Sequence, residues 1–189
     1  RRAAPQAGSR GSPTMRVPGS RGNDGVCMAI LKWLFLGGLA LAVLAVLAGQ
    51  LGFLRGTAPA DLGVNEGKLK RPSSTPNSVS SQADLWPDQP QAAYARIAPL
   101  ALVGDGPATL ARIRAIVAAT PGAQLVTEKP DYLYATFSTR LMKYTDDVEF
   151  WLDPKAGVVQ VRSASRLGRR DFDANRSRIE AIRGQLGTR

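Results

Sequence analysis

The chain has 189 residues, with 25 Lys and Arg against 15 Asp and Glu and a net charge of +10, a length that suits one domain with appendages. It contains no histidine and one cysteine, Cys27, which excludes Ser-His-Asp and Cys-His nucleophiles, His- or Cys-ligated metal sites and an intrachain disulfide. Ten of the 25 basic residues lie in 1–72 with only three acids, whereas 73–189 carry mixed signs. This distribution argues against nucleic-acid binding, and we expect no cofactor.

The first 27 residues are rich in Arg, Gly, Pro and Ser and show no apolar periodicity. Such a composition predicts a disordered basic segment over 1–27. Met15 and Met28 both resemble translation starts, so we expect part of this segment to lie upstream of the true start. A mass of the native protein that includes Arg1 would contradict this expectation.

An uncharged apolar run of 21 residues covers 34–54, directly after Lys32 and Trp33. As a helix this run would span roughly 30 Å, the thickness of the hydrocarbon core of a bilayer. We favour a single transmembrane anchor over 28–54 that contacts membrane lipid through 34–54. A cleaved signal peptide and a buried soluble helix are the alternatives. The six basic residues before the run, against Asp24 alone, predict a cytoplasmic N-terminus and an extracytoplasmic globular domain.

Residues 55–93 are rich in Gly, Pro, Ser, Asn and Asp. This composition predicts a tether with turns, followed by a globular domain over 94–189. Within the tether, only 75–81 is expected to pack on the domain. Residues 94–100 are predicted to form a short strand or an extended lead-in.

The globular domain begins with a predicted helix. Asp105 or Gly106 caps this helix, Pro107 lies in its first turn, and a Pro-Gly pair at 121–122 ends it. Its apolar residues recur at helical spacing and form one buried stripe: Leu110, Ile113, Ile116 and Val117.

Four strands and a closing helix follow, with the strands predicted over 123–129, 132–139, 146–152 and 158–163. Alternation along the third of them predicts an apolar face with Val148, Phe150 and Leu152, and a partly polar face with Asp147, Glu149 and Trp151. The closing helix covers 172–186, is capped by Asp171 or Asp173, and has as its inner face Phe172, Ile179, Ile182 and Leu186. We therefore expect an α+β fold with an antiparallel sheet of about four strands and two helices packed on one face.

Three segments carry a family resemblance. They are DDVEFWLDP from Asp146, VRSASRLGRRDFDANRSRIE from Val161, and the lead motif TPNSVSS from Thr75. Over about 70–187 the chain resembles the family of domain of unknown function 1499. The resemblance implies a membrane-tethered bacterial envelope or plastid protein with no established activity. Many members carry a cysteine pair around the lead motif, whereas this chain has Ser78 there and no partner cysteine, which excludes a disulfide or thiol role.

The clearest candidate site is a cluster of arginines and small polar residues on the last strand and the last helix. A helix N-terminus beside guanidinium and hydroxyl groups is suited to holding an anion. The ligand-binding candidates are Arg162, Ser163, Ser165, Arg166, Asn175 and Arg176. In the simpler alternative, the arginines join helix to sheet by pairing with Asp146, Asp147, Glu149 and Asp173.

A second candidate uses Asp147 and Glu149, which project from one strand face roughly 7 Å apart. Such a pair could act as acid and base in a hydrolase or hold a divalent cation. Cross-strand pairing with Arg140 and Arg162 is the alternative without chemistry. The same face carries aromatic residues that would line a pocket for an amphipathic ligand or simply cover the sheet: Tyr132, Tyr134 and Trp151.

We therefore expect a membrane-anchored, extracytoplasmic and non-enzymatic accessory or binding domain. With the bacterial envelope that the resemblance implies, this is a single-pass inner-membrane protein with its globular domain in the periplasm. Its partner would be an anionic ligand, a lipid head group or an envelope protein. The alternatives are a carboxylate-dependent hydrolase that uses Asp147 and Glu149, and a purely structural interaction domain.

Overall fold

The structure, a computed structural model, describes residues 23–187. Its first element, helix α1, spans Asn23–Gln50, of which the 26 residues Gly25–Gln50 are long and apolar enough to cross a membrane. This helix is consistent with single-pass anchoring. Most of the segment predicted as disordered, 1–27, lies outside the described residues, and residues 23–27 belong to α1.

Helix α1 ends before the predicted end of the anchor at position 54. Gly52 adopts a positive φ of 91°, and the Phe53 N–H donates to the carbonyl of Ala48. A left-handed glycine just beyond the last turn is a common way for a helix to end, because glycine has no Cβ to oppose this conformation.

Beyond α1, the described residues form six strands and three further helices. The strands are β1 (Ser78–Ser80), β2 (Leu100–Ala101), β3 (Ala123–Lys129), β4 (Tyr132–Ser138), β5 (Thr145–Asp153) and β6 (Val158–Ser165). The helices are α2 (Ala92–Ala95), α3 (Gly106–Ala119) and α4 (Ala174–Gly187), and a single 3₁₀ turn occupies Ala83–Leu85.

The strands form one antiparallel sheet in the order β1-β6-β5-β4-β3, and β2 pairs with the first part of β6. The predicted number of about four strands is therefore wrong, because the sheet has six. The four predicted strands correspond to β3, β4, β5 and β6. Strands β1 and β2 have three and two residues, which is too short for an alternating pattern to reveal.

One hydrophobic core contains side chains of the sheet, of α3 and of α4. Helix α3 contributes Ile113 and Val117, and helix α4 contributes Ile179 and Ile182, each pair at the spacing of one helix face. Phe172 is 88% exposed, so the prediction that it belongs to the inner face of the last helix is wrong.

Both core helices begin at an aspartate. The Asp105 carboxylate accepts from the Ala108 N–H at 2.7 Å and caps α3, as one of the two predicted caps. Asp171 accepts from the Asn175 N–H at 3.1 Å, while Phe172 between them has a positive φ of 52°. This turn before α4 directs Phe172 away from the core.

The sheet face opposite the core carries aromatic and charged side chains. The register places Tyr132 opposite Trp151 and Tyr134 opposite Glu149, so these four residues share one face, as the alternation predicted. Residues 61–70, here named the covering segment, lie over part of this face. Its Leu69 is 1% exposed and belongs to a cluster with the three aromatic residues.

The covering segment is a tight hairpin. Asn65 and Lys68 exchange two backbone hydrogen bonds across Glu66 and Gly67, which both have positive φ, as in a type I′ turn. An ion pair between Asp61 and Lys70 joins the two ends of the segment. The covering segment and β1 both lie within 55–93, the predicted tether. Their turn-forming residues build compact structure there.

Candidate functional site

Arg162 and Glu149 form a buried ion pair on the sheet face opposite the core. They lie opposite each other on β6 and β5, and Arg162 Nη1 donates to Glu149 Oε2 at 3.4 Å. Glu149 Oε1 also accepts from the Tyr132 hydroxyl at 2.8 Å and from the Gly63 N–H at 2.7 Å. Burial raises the pKa of Glu149 and lowers the pKa of Arg162, and their mutual attraction opposes both shifts. The covering segment thus closes over a paired charge.

Arg166 and Asp147 form a second ion pair on this face. Arg166 Nε lies 3.0 Å from both carboxylate oxygens, and Nη2 donates to Oδ1 at 2.7 Å. The Tyr134 hydroxyl donates to the same Oδ1 at 2.6 Å and accepts from Arg166 Nη2 at 3.1 Å. Burial and the hydrogen bond to Asp147 raise the pKa of Tyr134 to about 12, so this phenol keeps its proton at neutral pH.

Asn175 is completely buried at the start of α4 and links that helix to the sheet. Its Oδ1 accepts from the Ser163 hydroxyl at 2.6 Å, and its Nδ2 donates to Ser165 Oγ at 3.0 Å and to Asp171 Oδ2 at 2.8 Å. Burial acts to raise the pKa of Asp171, but the hydrogen bonds from Tyr94 and Asn175 outweigh it and lower this pKa.

Two arginines of α4 hold the helix to neighbouring elements. Arg178 Nη2 donates to Asp146 Oδ2 at 2.6 Å. Arg176 donates to the backbone carbonyls of Tyr94 and Arg96 and lies 4.0 Å from Asp173 Oδ1. The Arg178 contact joins the helix to the sheet, whereas the contacts of Arg176 join it to α2 and to the residue that follows α2.

The predicted ligand-binding residues do not form one cluster. Strand alternation puts Arg162 on the face opposite the core, with Arg166 just beyond the strand, whereas Ser163 and Ser165 face the core side with Asn175. Each of these side chains already has a protein partner, and so does Arg176. Their role in ligand binding stays a prediction.

Asp147 and Glu149 project from one strand face, but they are only 1% and 0% exposed. A general acid or base must reach the group that it protonates or deprotonates. Both carboxylates are instead enclosed and paired with arginine. Arg140 was expected on a neighbouring strand as a partner of these carboxylates. It lies instead in the loop between β4 and β5, and Arg166 pairs with Asp147.

An open cavity of about 720 Å³ lies on the part of this face that the covering segment leaves free. Its cationic lining residues are Arg55, Arg140, Lys143 and Arg166. Within residues 23–187, only Arg166 of these four is paired with an acid, and no Asp or Glu lines the cavity. We name it the basic cavity. Unpaired cations around a concave surface attract an anion, so this is the candidate site.

The floor of the basic cavity is formed by β3 and β4. Gln124 and Thr136 lie opposite each other in the register and have side chains without a hydrogen-bond partner in the described part of the chain. The register then shifts between Leu125 and Thr127, and Val126, which this β-bulge leaves unpaired, also lines the cavity. The floor therefore offers an amide and a hydroxyl beside an apolar group.

The basic cavity is not evident in the sequence because its cations come from separate loops. Arg55 follows α1, while Arg140 and Lys143 lie between β4 and β5. The available signal was weak: the loop over 139–144 has two basic residues and no acid. No group of three His, Cys, Asp or Glu side chains suited to a metal ion occurs within the described residues.

Fold and site together define a class of protein, an α+β domain that follows one apolar helix and carries a basic cavity. The family model described as protein of unknown function, DUF1499, matches residues 68–186, and the chain belongs to this family. The match includes all six strands together with Arg140 and Lys143, whereas Arg55 precedes it. No curated protein matches the chain.

Proposed function

We propose that this protein is a membrane-anchored, non-enzymatic binding domain that recognises an anionic ligand in the basic cavity. One observation carries the proposal: Arg55, Arg140 and Lys143 surround an open cavity of about 720 Å³, and no acid of the described chain lines it. Like charges gathered around one concavity repel each other, and a bound anion removes that repulsion.

The anchoring and orientation are part of the same proposal. Helix α1 supports a single pass through the inner membrane, and the basic residues that precede it support a cytoplasmic N-terminus with the domain in the periplasm. Cys27 tests this orientation, because it is the single thiol and is exposed at the start of α1. A membrane-impermeant maleimide should label it only after the membrane is permeabilised, and labelling of intact cells would contradict the orientation.

The binding role is favoured over the carboxylate-dependent hydrolase because of accessibility. Asp147 and Glu149 are enclosed, hydrogen-bonded to tyrosine hydroxyls and paired with arginine. The basic cavity, in contrast, is open to solvent and has side chains with free hydrogen-bonding groups. We therefore propose no catalytic step for this chain.

The test is a calorimetric titration of the full chain in non-ionic detergent with phosphate, pyrophosphate and glycerol phosphate. Binding should weaken as salt is added, and Arg140→Gln with Lys143→Gln should weaken it about tenfold or more, as expected for loss of two charged hydrogen-bond donors. The control is Arg112→Gln with Lys155→Gln, which removes two exposed positive charges away from the cavity. Equal loss in both double variants would rule out the proposed function, and so would absence of binding by these three ligands and by an anionic phospholipid alike.

A further inference from the structure

We infer that the basic cavity holds the phosphate of an anionic phospholipid that belongs to the same bilayer as α1. This inference rests on the proposed function and narrows its ligand. Three independent features of the cavity support it: its place beside the end of α1, its hydrogen-bonding groups, and the apolar side chains around it.

The basic cavity lies beside the end of the apolar helix. Gln50, the last residue of α1, donates through Nε2 to the carbonyls of Arg140 at 3.3 Å and Leu141 at 2.9 Å. At Gly49 the helix comes so close to the backbone of Met142 that an added Cβ would lie 2.5 Å from its carbonyl oxygen. The loop that supplies Arg140 and Lys143 is therefore held directly against the helix terminus.

The length of α1 puts that terminus at the level of lipid head groups. A helix of 26 residues is roughly 39 Å long, which exceeds a hydrocarbon core of about 30 Å and approaches the full bilayer thickness of about 40–45 Å. With this span centred in the bilayer, Gln50 at its end lies in the polar interface, and so does the loop that contacts it. A phospholipid phosphate at this depth needs no diffusion through solvent to reach the cavity.

The chemistry of the cavity fits a phosphate group. Arg55, Arg140 and Lys143 offer unpaired guanidinium and ammonium donors, and Arg and Lys are the usual partners of phosphate oxygens. The Thr136 hydroxyl and the Gln124 amide on the floor can bond to ester oxygens or to head-group hydroxyls. A choline head group would bring its own positive charge into this field, so the cavity favours anionic lipids over zwitterionic ones.

Apolar side chains around the cavity distinguish a lipid from a soluble phosphate. Leu141 is 60% exposed next to Arg140, Val126 is 52% exposed in the lining, and Phe53 is 75% exposed two positions before Arg55. Apolar groups that stay exposed beside a binding site gain free energy when they meet acyl chains. A soluble phosphate has no apolar part that could cover these side chains.

The experiment compares four ligands with the full chain in non-ionic detergent: dioctanoyl phosphatidylglycerol, dioctanoyl phosphatidylcholine, glycerol phosphate and inorganic phosphate. Phosphatidylglycerol should bind about tenfold or more tightly than each of the other three, since it combines an anionic head group with acyl chains. Arg140→Gln with Lys143→Gln should remove this advantage, whereas the control Arg112→Gln with Lys155→Gln should keep it. Leu141→Ser should weaken the binding of phosphatidylglycerol and leave the binding of glycerol phosphate unchanged.

The possible failures are distinct. If glycerol phosphate binds as tightly as phosphatidylglycerol through the same cations, the ligand is a soluble phosphate; the lipid inference falls and the proposed function stands. If both phospholipids bind equally, or if phosphatidylglycerol binds equally to both double variants, the lipid binds through its acyl chains alone and not through the cavity cations. The inference then falls. If none of the three anionic ligands binds, the inference and the proposed function fall together.

Discussion

The sheet face opposite the core has two regions in which the same residue types are used differently. Under the covering segment, Arg162 is buried and meets Glu149 across the strands. In the basic cavity, Arg140 and Lys143 meet no acid among the described residues and remain open to solvent. The comparison shows that an arginine in this fold is structural where a carboxylate lies opposite it and is free to bind a ligand where none does. Four experiments can break or sharpen the contrast.

The largest effect is expected at the buried pair. Arg162→Ala should lower the free energy of unfolding by about 3–5 kcal/mol, because it leaves Glu149 buried without its counter-charge. Urea unfolding of the full chain in detergent, followed by tryptophan fluorescence, to which buried Trp151 contributes, measures the loss. Arg162→Met with Glu149→Leu is the control and should recover most of it, since both charges are then gone. A loss under about 1 kcal/mol would mean that the pair is effectively solvated.

The same variant has a pH signature. Burial raises the pKa of Glu149 above its ordinary value of 4.5, so the folded state binds this proton more tightly than the unfolded state. The stability that this proton contributes is complete below the unfolded pKa and is lost as pH rises through the folded pKa. Without Arg162 the folded pKa rises further. The deficit of Arg162→Ala should therefore shrink on acidification toward 4.5, and a deficit independent of pH would contradict this account.

A smaller effect is expected from the covering segment itself. Leu69→Ala should cost about 2–5 kcal/mol, because Leu69 is almost fully buried against the aromatic residues of the sheet. Val64→Ala, in the same segment at a position 39% exposed, is the control and should cost less than about 1 kcal/mol. The same urea unfolding compares them. Equal costs would show that the segment does not pack on the sheet.

The smallest effect is expected at the basic cavity. Arg140→Gln with Lys143→Gln should leave the free energy of unfolding within about 0.5 kcal/mol of the native value, because neither side chain has a partner within residues 23–187. Relief of repulsion between the cations could make the change slightly favourable. If this double variant destabilises the fold as strongly as Arg162→Ala, the cavity cations are structural and the contrast between the two regions disappears.

The sequence was sufficient for those elements whose pattern is local. Alternation located β3, β4, β5 and β6 and assigned Val148 and Glu149 to opposite faces, and Asp105 marked the start of α3. The short strands β1 and β2 could not be found in this way, because their pairing with β6 is set by tertiary structure. The helical periodicity predicts a core position for Phe172. It does not reveal the turn before α4 that directs this side chain to solvent.

The candidate site was harder to predict for a geometric reason. The residue types of the ion pairs were identified, yet which arginine meets which acid depends on a register that no single strand contains. Arg140 was expected near Asp147, and the structure gives that position to Arg166. The basic cavity combines side chains from several loops and a sheet, between Arg55 and Arg166 in the chain, so it appears only once the chain is folded.

The bulge at Val126 has a further consequence. Strand β3 is the last strand of the sheet, and its outer backbone groups are a potential template for another strand. A helix in a membrane would confine copies of the protein to two dimensions. Exposed β3 edges of neighbouring copies would then meet more often. By interrupting the regular succession of N–H and carbonyl groups, the bulge makes continuous pairing between neighbouring molecules unfavourable, and crowding within the bilayer can be tolerated without assembly into ribbons.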